Sequence, residues 1–287
     1  MHHLVPFVIM SSLEQGASEC ANGWGFVSME HHGLIRWYNP KLEDFEWREV
    51  PRTDEQALLP KDMPLLEGWQ ITPYYQPARE VGGDFYDFFE LEDRRVGVAV
   101  GDATGKGMPA ALAVSATSSM LRAVAQAFGS SSPGEVLSRV NETLVARIPQ
   151  NMFVTCFYAI LDPKSGSLTY ANAGHDLPYL HRNGKAEELR ARGMPLGLMP
   201  GMGYEEKELV LERDDSALLY SDGLVEAHDP QGEMFGFPRL RALIAEHDEE
   251  KSLEETLLEE LYSFVGEGWE QEDDITLLTL KRSPSRS

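Results

Sequence analysis

Short runs rich in β-branched and aromatic residues fill most of the chain after Trp69, and tight turns join several of them directly. They span residues 71–75, 85–91, 95–100, 152–162, 167–173, 178–182, 205–211, 216–220 and 275–281, bounded by Gly, Pro, Asn and Asp. Lys164-Ser165-Gly166 and Arg182-Asn183-Gly184 read as hairpin turns. A parallel neighbour needs a crossover of roughly a dozen residues or more, so connections this short call for antiparallel sheets.

Helical patterns interrupt the strands in pairs. Residues 109–128 carry Leu112, Met120, Leu121 and Val124, and residues 133–148 carry Val136, Val140, Leu144 and Ile148 at helical spacing. Further helices are expected over 238–247 and 253–265. Ser132 to Glu135 and Ser252 to Glu255 are capping boxes, and Pro133 suits a first helical turn. Hairpin strands with helices inserted in pairs imply an α+β layered domain.

Residues 1–56 have a different texture. Residues 25–29, 34–38 and 45–50 read as short strands, separated by His-His-Gly and Asn-Pro turns. So few strands are a marginal unit alone, so this small irregular β segment reads as a partial domain or a flap. Pro51 and the charged residues 52–55 mark a boundary. The main domain is assigned to 57–282, and the Ser/Arg/Pro tail 283–287 is expected to fray.

Charge narrows the partners. Asp and Glu number 47 against 25 Lys and Arg, a formal charge of −22. Such a surface repels phosphate backbones and anionic lipid, which argues against nucleic acid and membranes as partners. Cys20 and Cys156 are too few for a disulfide framework or a cysteine zinc site, which suits a reducing compartment. No apolar run approaches the roughly 18 residues of a membrane span. The apolar stretch 4–10 has no Lys or Arg before it and no clear cleavage site, so the chain reads as cytoplasmic rather than secreted.

Acidic residues recur at strand ends. Asp84 follows Gly82-Gly83 and precedes a strand; Asp102 follows one, in Gly101-Asp102-Ala103-Thr104-Gly105. Asp222 follows a strand in Ser221-Asp222-Gly223, and Asp273-Asp274 precede the last one. In an antiparallel sheet, the starts of descending strands and the ends of ascending ones share a rim. If the pairings are so arranged, these carboxylates converge. Convergent carboxylates need protons or cations, and oxygen-only ligands suit Mg²⁺ or Mn²⁺. Ala103 has a side chain small enough for its carbonyl to act as a further ligand. Each Gly-Asp or Asp-Gly taken singly is equally a turn, so the pattern alone leaves a metal site and plain turn chemistry both open.

Other motifs carry less. Gly105-Lys106-Gly107-Met108-Pro109-Ala110 has dinucleotide-loop spacing but lacks a parallel βαβ unit and the acid about 20 residues on. Gly107 after Lys106 excludes a Walker loop, so the stretch reads as a tight strand-to-helix turn carrying Asp102. His175, in Ala171-Asn172-Ala173-Gly174-His175, admits a general-acid role or a structural one in a turn. Cys156 reads as a small core residue. His2, His3, His31 and His32 show no ligand spacing. The acidic stretch 247–260 reads as a solvated helix face and its approach.

Taken together, these motifs are familiar. Pro77-Ala78-Arg79-Glu80-Val81-Gly82-Gly83-Asp84-Phe85-Tyr86-Asp87 resembles the opening motif of the SpoIIE/RsbU branch of the metal-dependent (PPM-type) Ser/Thr protein phosphatases. So do Gly101-Asp102-Ala103-Thr104-Gly105-Lys106-Gly107, Ala171-Asn172-Ala173-Gly174-His175, Pro195-Leu196-Gly197, Tyr220-Ser221-Asp222-Gly223-Leu224-Val225-Glu226 and Asp273-Asp274-Ile275-Thr276. They stand in the family's order, and the resemblance runs from about Leu58 to Lys281.

The resemblance implies an α-β-β-α sandwich of two antiparallel sheets flanked by helices, with a site for two ions, Mn²⁺ or Mg²⁺, on one edge. Carried over by motif, Asp84, Asp102, Asp222 and Asp273 would be metal ligands and catalytic residues, and Ala103 would offer its carbonyl. Asp273 matches the family position better than Asp274. Arg79 stands where some relatives place a phosphate-contacting arginine. The implied reaction is hydrolysis of phosphoserine or phosphothreonine by a metal-bridged hydroxide, on a bacterial signalling protein such as an anti-sigma-factor antagonist. A homodimer is compatible with the resemblance. Two rivals remain: a non-catalytic phosphoprotein-binding module of the same fold, and a metal-bound β-protein hydrolysing small phosphomonoesters. The family's long helix before Leu58-Leu59-Pro60 is shortened or absent, since Pro51 and a charged stretch precede it.

Overall fold

The computed structural model describes residues 66–79, 81–128, 131–248 and 251–283, together with the strands β1 (Phe26–Glu30), β2 (Leu34–Asn39) and β3 (Asp44–Glu49). The chain divides into two compact units, Met1–Glu55 and Gln56–Ser287. In the first unit β1, β2 and β3 form one antiparallel sheet in that order. Cys20, His2, His3, His31, His32 and the tail 284–287 lie outside the described residues.

In the second unit the strands are β4 (Trp69–Gln76), β5 (Asp84–Glu90), β6 (Val96–Ala103), β7 (Val154–Leu161), β8 (Ser167–Ala173), β9 (Tyr179–Arg182), β10 (Lys185–Glu188), β11 (Glu206–Val210), β12 (Ser216–Tyr220) and β13 (Ile275–Arg282). The helices are α1 (Met108–Ala127), α2 (Pro133–Val145), α3 (Gly236–Glu246) and α4 (Leu253–Val265). One five-stranded sheet runs β11-β8-β7-β6-β5, the other β10-β9-β12-β13-β4, and every pairing is antiparallel.

The period-two alternation of the strands sorts side chains into layers. Val96, Val98 and Val100 of β6 and Phe157, Ala159 and Leu161 of β7 face the second sheet's Leu219, Leu278 and Leu280. Their neighbours Ala99, Cys156, Tyr158 and Ile160 turn outward, against Ala110, Ala113, Val114 and Leu121 of α1 and Val136, Val140 and Leu144 of α2. On the far side Leu218, Tyr220, Ile275 and Leu277 meet Leu240 and Ile244 of α3 and Leu257 and Leu261 of α4. The result is the expected α-β-β-α sandwich. Each fully buried aliphatic side chain contributes about 1.5–3 kcal/mol, so the three apolar layers hold the sheets in register.

Local signals act as read. Ser252 Oγ accepts from Glu255 N at 3.2 Å, and Glu255 returns to Ser252 N at 3.1 Å. At α2 Glu135 returns to Ser132 N at 3.4 Å, while the Ser132 hydroxyl donates to Glu206. Helix α2 ends earlier than expected, because Arg147 and Ile148 both donate to Leu144 O, at 2.8 and 2.9 Å, and tighten the last turn. Strand β10 follows the Asn183-Gly184 turn, but its charged sequence hides the alternation that marks an interior strand. The acidic stretch 247–260 departs from a purely solvated face: Glu254 is buried at the start of α4.

Candidate active site

Strand geometry places the acids. Asp84 and Asp102 are direct register partners across β5 and β6. Asp222 opens a short 3-10 turn directly after Ser221, which follows β12. Asp273 and Asp274 precede β13, which is antiparallel to β12 with Tyr220 opposite Leu277. The two sheets therefore present their acidic ends at one rim. They are stitched there by Thr276 of β13, whose hydroxyl donates to Asp84 Oδ2 at 2.6 Å.

The electrostatics report the crowding. Burial pushes Asp84 well above the usual carboxylate range, and the charge of Asp102 adds to it. Asp102 is pushed up to about 8, first by burial and then by Asp222, Asp273 and Asp274. Asp222 rises to about 6 through burial, followed by Glu226, Asp273 and Asp176. Mutual repulsion of this kind means that negative charge at the rim is under-compensated by the protein itself.

The paired acids at 273 and 274 behave differently. Asp274 is buried, and its carboxylate accepts from Ala78 N at 2.8 Å, Gly83 N at 2.5 Å and Asp84 N at 3.3 Å. It organises the loop that delivers Asp84. Asp273 is partly exposed and meets Lys106, Nζ to Oδ2 at 2.8 Å. Gly83 lies under the site. A Cβ there would stand 3.0 Å from Asp102 Oδ1 and 3.3 Å from the Ala103 carbonyl oxygen, so any larger residue would push on both oxygens. Ala103 N donates to Gly83 O at 2.9 Å, fixing that approach.

These residues fit a hard divalent cation. The donors are carboxylates and a carbonyl, and the elevated Asp102 and Asp222 mark charge that a cation would relieve. Among the described residues no three His, Cys, Asp or Glu side chains are already gathered to hold an ion. Thr276 occupies one oxygen of Asp84 and Lys106 one of Asp273, so ligation calls for local rearrangement.

Arg79 is exposed and lines a small cleft with Lys106, Gly83, Gly105, Gly107 and Asp273. His175 lies 7% exposed between the sheets, not in that cleft. Cys156 is fully buried in the layer under α1 and α2. In the sequence Lys106 reads as part of a turn, and neither Ser221 nor Thr276 stands out from its motif. Ser221 stands directly before Asp222 and Thr276 two residues after Asp274, and the two join in space: Thr276 N donates to Ser221 Oγ at 2.9 Å, and Ser221 Oγ donates to Asp274 O at 3.1 Å.

Residues 92–283 match the family described as Stage II sporulation protein E. The chain belongs to the SpoIIE family. The matched stretch holds Asp102, Ala103, Asp222 and Asp273 and starts after Asp84. Among characterised proteins, the chain is 30% identical over 265 residues to protein IcfG of Synechocystis sp., covering 82% of this chain and 41% of IcfG. It is 28% identical over 264 residues to the phosphoserine phosphatase RsbU of Bacillus subtilis, covering 91% of this chain and 76% of RsbU. In three dimensions it is similar to the SiaA-PP2C domain of Pseudomonas aeruginosa, with a TM-score of 0.64 and 25% identity over 74% of this chain and 84% of that domain. The chain thus spans less than half the length of IcfG. Among the described residues of this SpoIIE-family chain, no helix is long and apolar enough to cross a membrane.

Proposed function

We propose that this chain is a metal-dependent protein serine/threonine phosphatase, acting on phosphoserine or phosphothreonine of a bacterial signalling protein, with an anti-sigma-factor antagonist as the substrate class. The observation that carries the reading is the placement at one rim of Asp84 and Asp102 from one sheet and Asp222 and Asp273 from the other, close enough for their charges to act on one another. The similarity to the phosphoserine phosphatase RsbU supports the reaction class, hydrolysis of a phosphoserine ester.

Asp84, Asp102, Asp222 and Asp273, with the Ala103 carbonyl, would hold two ions, Mn²⁺ or Mg²⁺. Such ions supply Lewis-acid stabilisation of phosphoryl charge and lower the pKa of water toward neutrality. The chain's own residues do the rest. Asp274 and Gly83 fix the loop that presents Asp84. Thr276 orients the Asp84 carboxylate from the opposite sheet. Arg79 and Lys106, which both line the cleft, offer cations to a phosphate dianion in a protein that is otherwise strongly negative. No side chain is required to form a covalent bond to phosphorus.

The test is p-nitrophenyl phosphate hydrolysis by the purified chain with Mn²⁺, with Mg²⁺ and with EDTA, alongside Asp102→Asn. Turnover that needs the ion and vanishes in the variant is expected. Turnover that survives EDTA, or full turnover by Asp102→Asn at saturating Mn²⁺, would sink the assignment.

A further inference from the structure

The Asn172-Ala173-Gly174-His175 motif has no part in the site described so far, yet its turn is tightly tied. The Asn172 side chain closes it from both ends: Nδ2 donates to His175 O at 2.9 Å, and Oδ1 accepts from His175 N at 2.7 Å. Gly174 sits at φ +70°, and a Cβ there would press on the Pro195 ring at 2.8 Å. These ties favour the turn's shape, in which the imidazole lies between the sheets.

Both ring nitrogens are used. Nε2 lies 3.0 Å from Tyr220 O, and Nδ1 lies 3.0 Å from Thr155 Oγ1. A carbonyl oxygen only accepts, so Nε2 carries the proton. Nδ1 is then the acceptor, and the Thr155 hydroxyl donates to it. Burial holds the ring's pKa down at about 4, so this neutral tautomer persists throughout the physiological range.

The two partners are not arbitrary. Thr155 on β7 is the register partner of Asp102, and its Oγ1 lies 3.3 Å from the Asp102 carbonyl oxygen. Tyr220 ends β12 in the other sheet, two residues before Asp222. With its one proton given to Nδ1, the Thr155 hydroxyl starts a chain of two hydrogen bonds that runs through His175 to the Tyr220 carbonyl, joining the strand paired with Asp102 to the strand that leads into Asp222.

We infer that His175 is a positioning residue that sets the spacing between Asp102 and Asp222 across the seam of the two sheets. This rests on the carboxylate-site reading above. His175 does not touch substrate. It acts by tying together two strands, one from each sheet, that carry Asp102's register partner and lead into Asp222. An imidazole suits the task because it is rigid and presents a donor and an acceptor in fixed directions, which a leucine of similar size cannot.

Calorimetric Mn²⁺ titration of the whole chain separates the possibilities. Wild type, His175→Leu, Thr155→Val and the double variant are compared, with Asp102→Asn as the reference for the site itself. His175→Leu is expected to weaken Mn²⁺ binding about tenfold or more, since a displacement of a fraction of an ångström degrades a ligand shell. Thr155→Val, which keeps the shape and β propensity of the strand, is expected to weaken it in the same direction. The double variant should be no worse than His175→Leu, because both changes break the same chain. An imidazole N–H proton resonance that exchanges slowly in wild type and shifts in Thr155→Val would report the bond directly. If Asp102→Asn loses Mn²⁺ while His175→Leu and Thr155→Val keep wild-type affinity, the inference fails and the site stands. If Asp102→Asn itself keeps wild-type affinity, the site reading fails and the inference falls with it. Should His175→Leu not fold, Thr155→Val decides.

Discussion

Lys106 Nζ stands 2.8 Å from Asp273 Oδ2 and 2.9 Å from the carbonyl oxygen of Glu272, so a residue in the loop after β6 holds the approach to β13. The pair is half-exposed, with side chains 46% and 41% accessible, so its contribution to folding is small. Its contribution to the acidic rim is larger, since it places one positive charge where a cation is expected to bind.

Lys106→Met is therefore expected to tighten Mn²⁺ binding, by roughly threefold to tenfold at low salt, since a screened charge pair at contact is worth about 1 kcal/mol. The gain should shrink as ionic strength rises. Calorimetry at two salt concentrations checks this. Unchanged or weaker affinity would show that Lys106 does not compete for Asp273.

The carboxylate cluster gives the metal-free protein a characteristic pH response. Asp102 has a folded pKa of about 8, above its ordinary value near 4. Between those values the folded chain keeps a proton that the unfolded chain releases, so stability falls as pH rises through this window. Urea denaturation in EDTA at pH 5 and pH 8 should show the loss. Asp102→Asn should flatten the profile and raise stability at pH 8, on the order of 1–3 kcal/mol. A profile as steep as wild type in the variant would place the titration elsewhere.

Gly83→Ala tests the close approach beneath the site. The added methyl would meet Asp102 Oδ1 at 3.0 Å and the Ala103 carbonyl oxygen at 3.3 Å. The expected stability loss is modest, about 1–2 kcal/mol, because the crowding is local. Metal affinity and metal-dependent turnover should fall far more, by roughly tenfold or beyond on displacement of ligand atoms. Wild-type Mn²⁺ affinity in Gly83→Ala would mean that Ala103 and Asp102 are not ligands from this side.

Away from the rim, Asp87 of β5 is 1% exposed and is held by Arg122 of α1, with Ser118 Oγ donating at 2.9 Å. Arg122→Met removes the cation and leaves a buried carboxylate. Breaking such a pair is expected to cost about 2–3 kcal/mol here, below the fully buried range because Arg122 is 43% accessible. Adding Asp87→Asn should recover most of that loss. Denaturation of the single and double variants measures it, and additive losses would rule out a coupled pair.

Local chemistry was legible in the sequence where it repeats at a fixed period or sits at a fixed offset. The β-branched and aromatic run of residues 154–161 and the Ser252 to Glu255 box mark strand and cap because each involves neighbours along the chain. The acids at strand ends were readable for the same reason, since antiparallel pairing maps ends onto a rim. Contacts across long separations were not. Lys106 meets Asp273 at a separation of 167 residues, and nothing in Gly105-Lys106-Gly107 announces it. Glu254 looks like its acidic neighbours, yet the face of α4 it shares with Leu257 and Leu261 turns it inward. His175 was ambiguous for a related reason: its partners Thr155 and Tyr220 come from different sheets.

Asp273 and Asp274 are chemically the same residue, yet one reaches partly into solvent toward Lys106 while the other is spent on the amides of Ala78, Gly83 and Asp84. Their duties are set by which side of the backbone each occupies as the chain enters β13. That makes this corner of the fold sensitive to frame rather than to composition. A residue inserted between Asp274 and Ile275 would leave both acids in the sequence and neither in its place, so length variation should be excluded there even where substitution of the surrounding loop is tolerated.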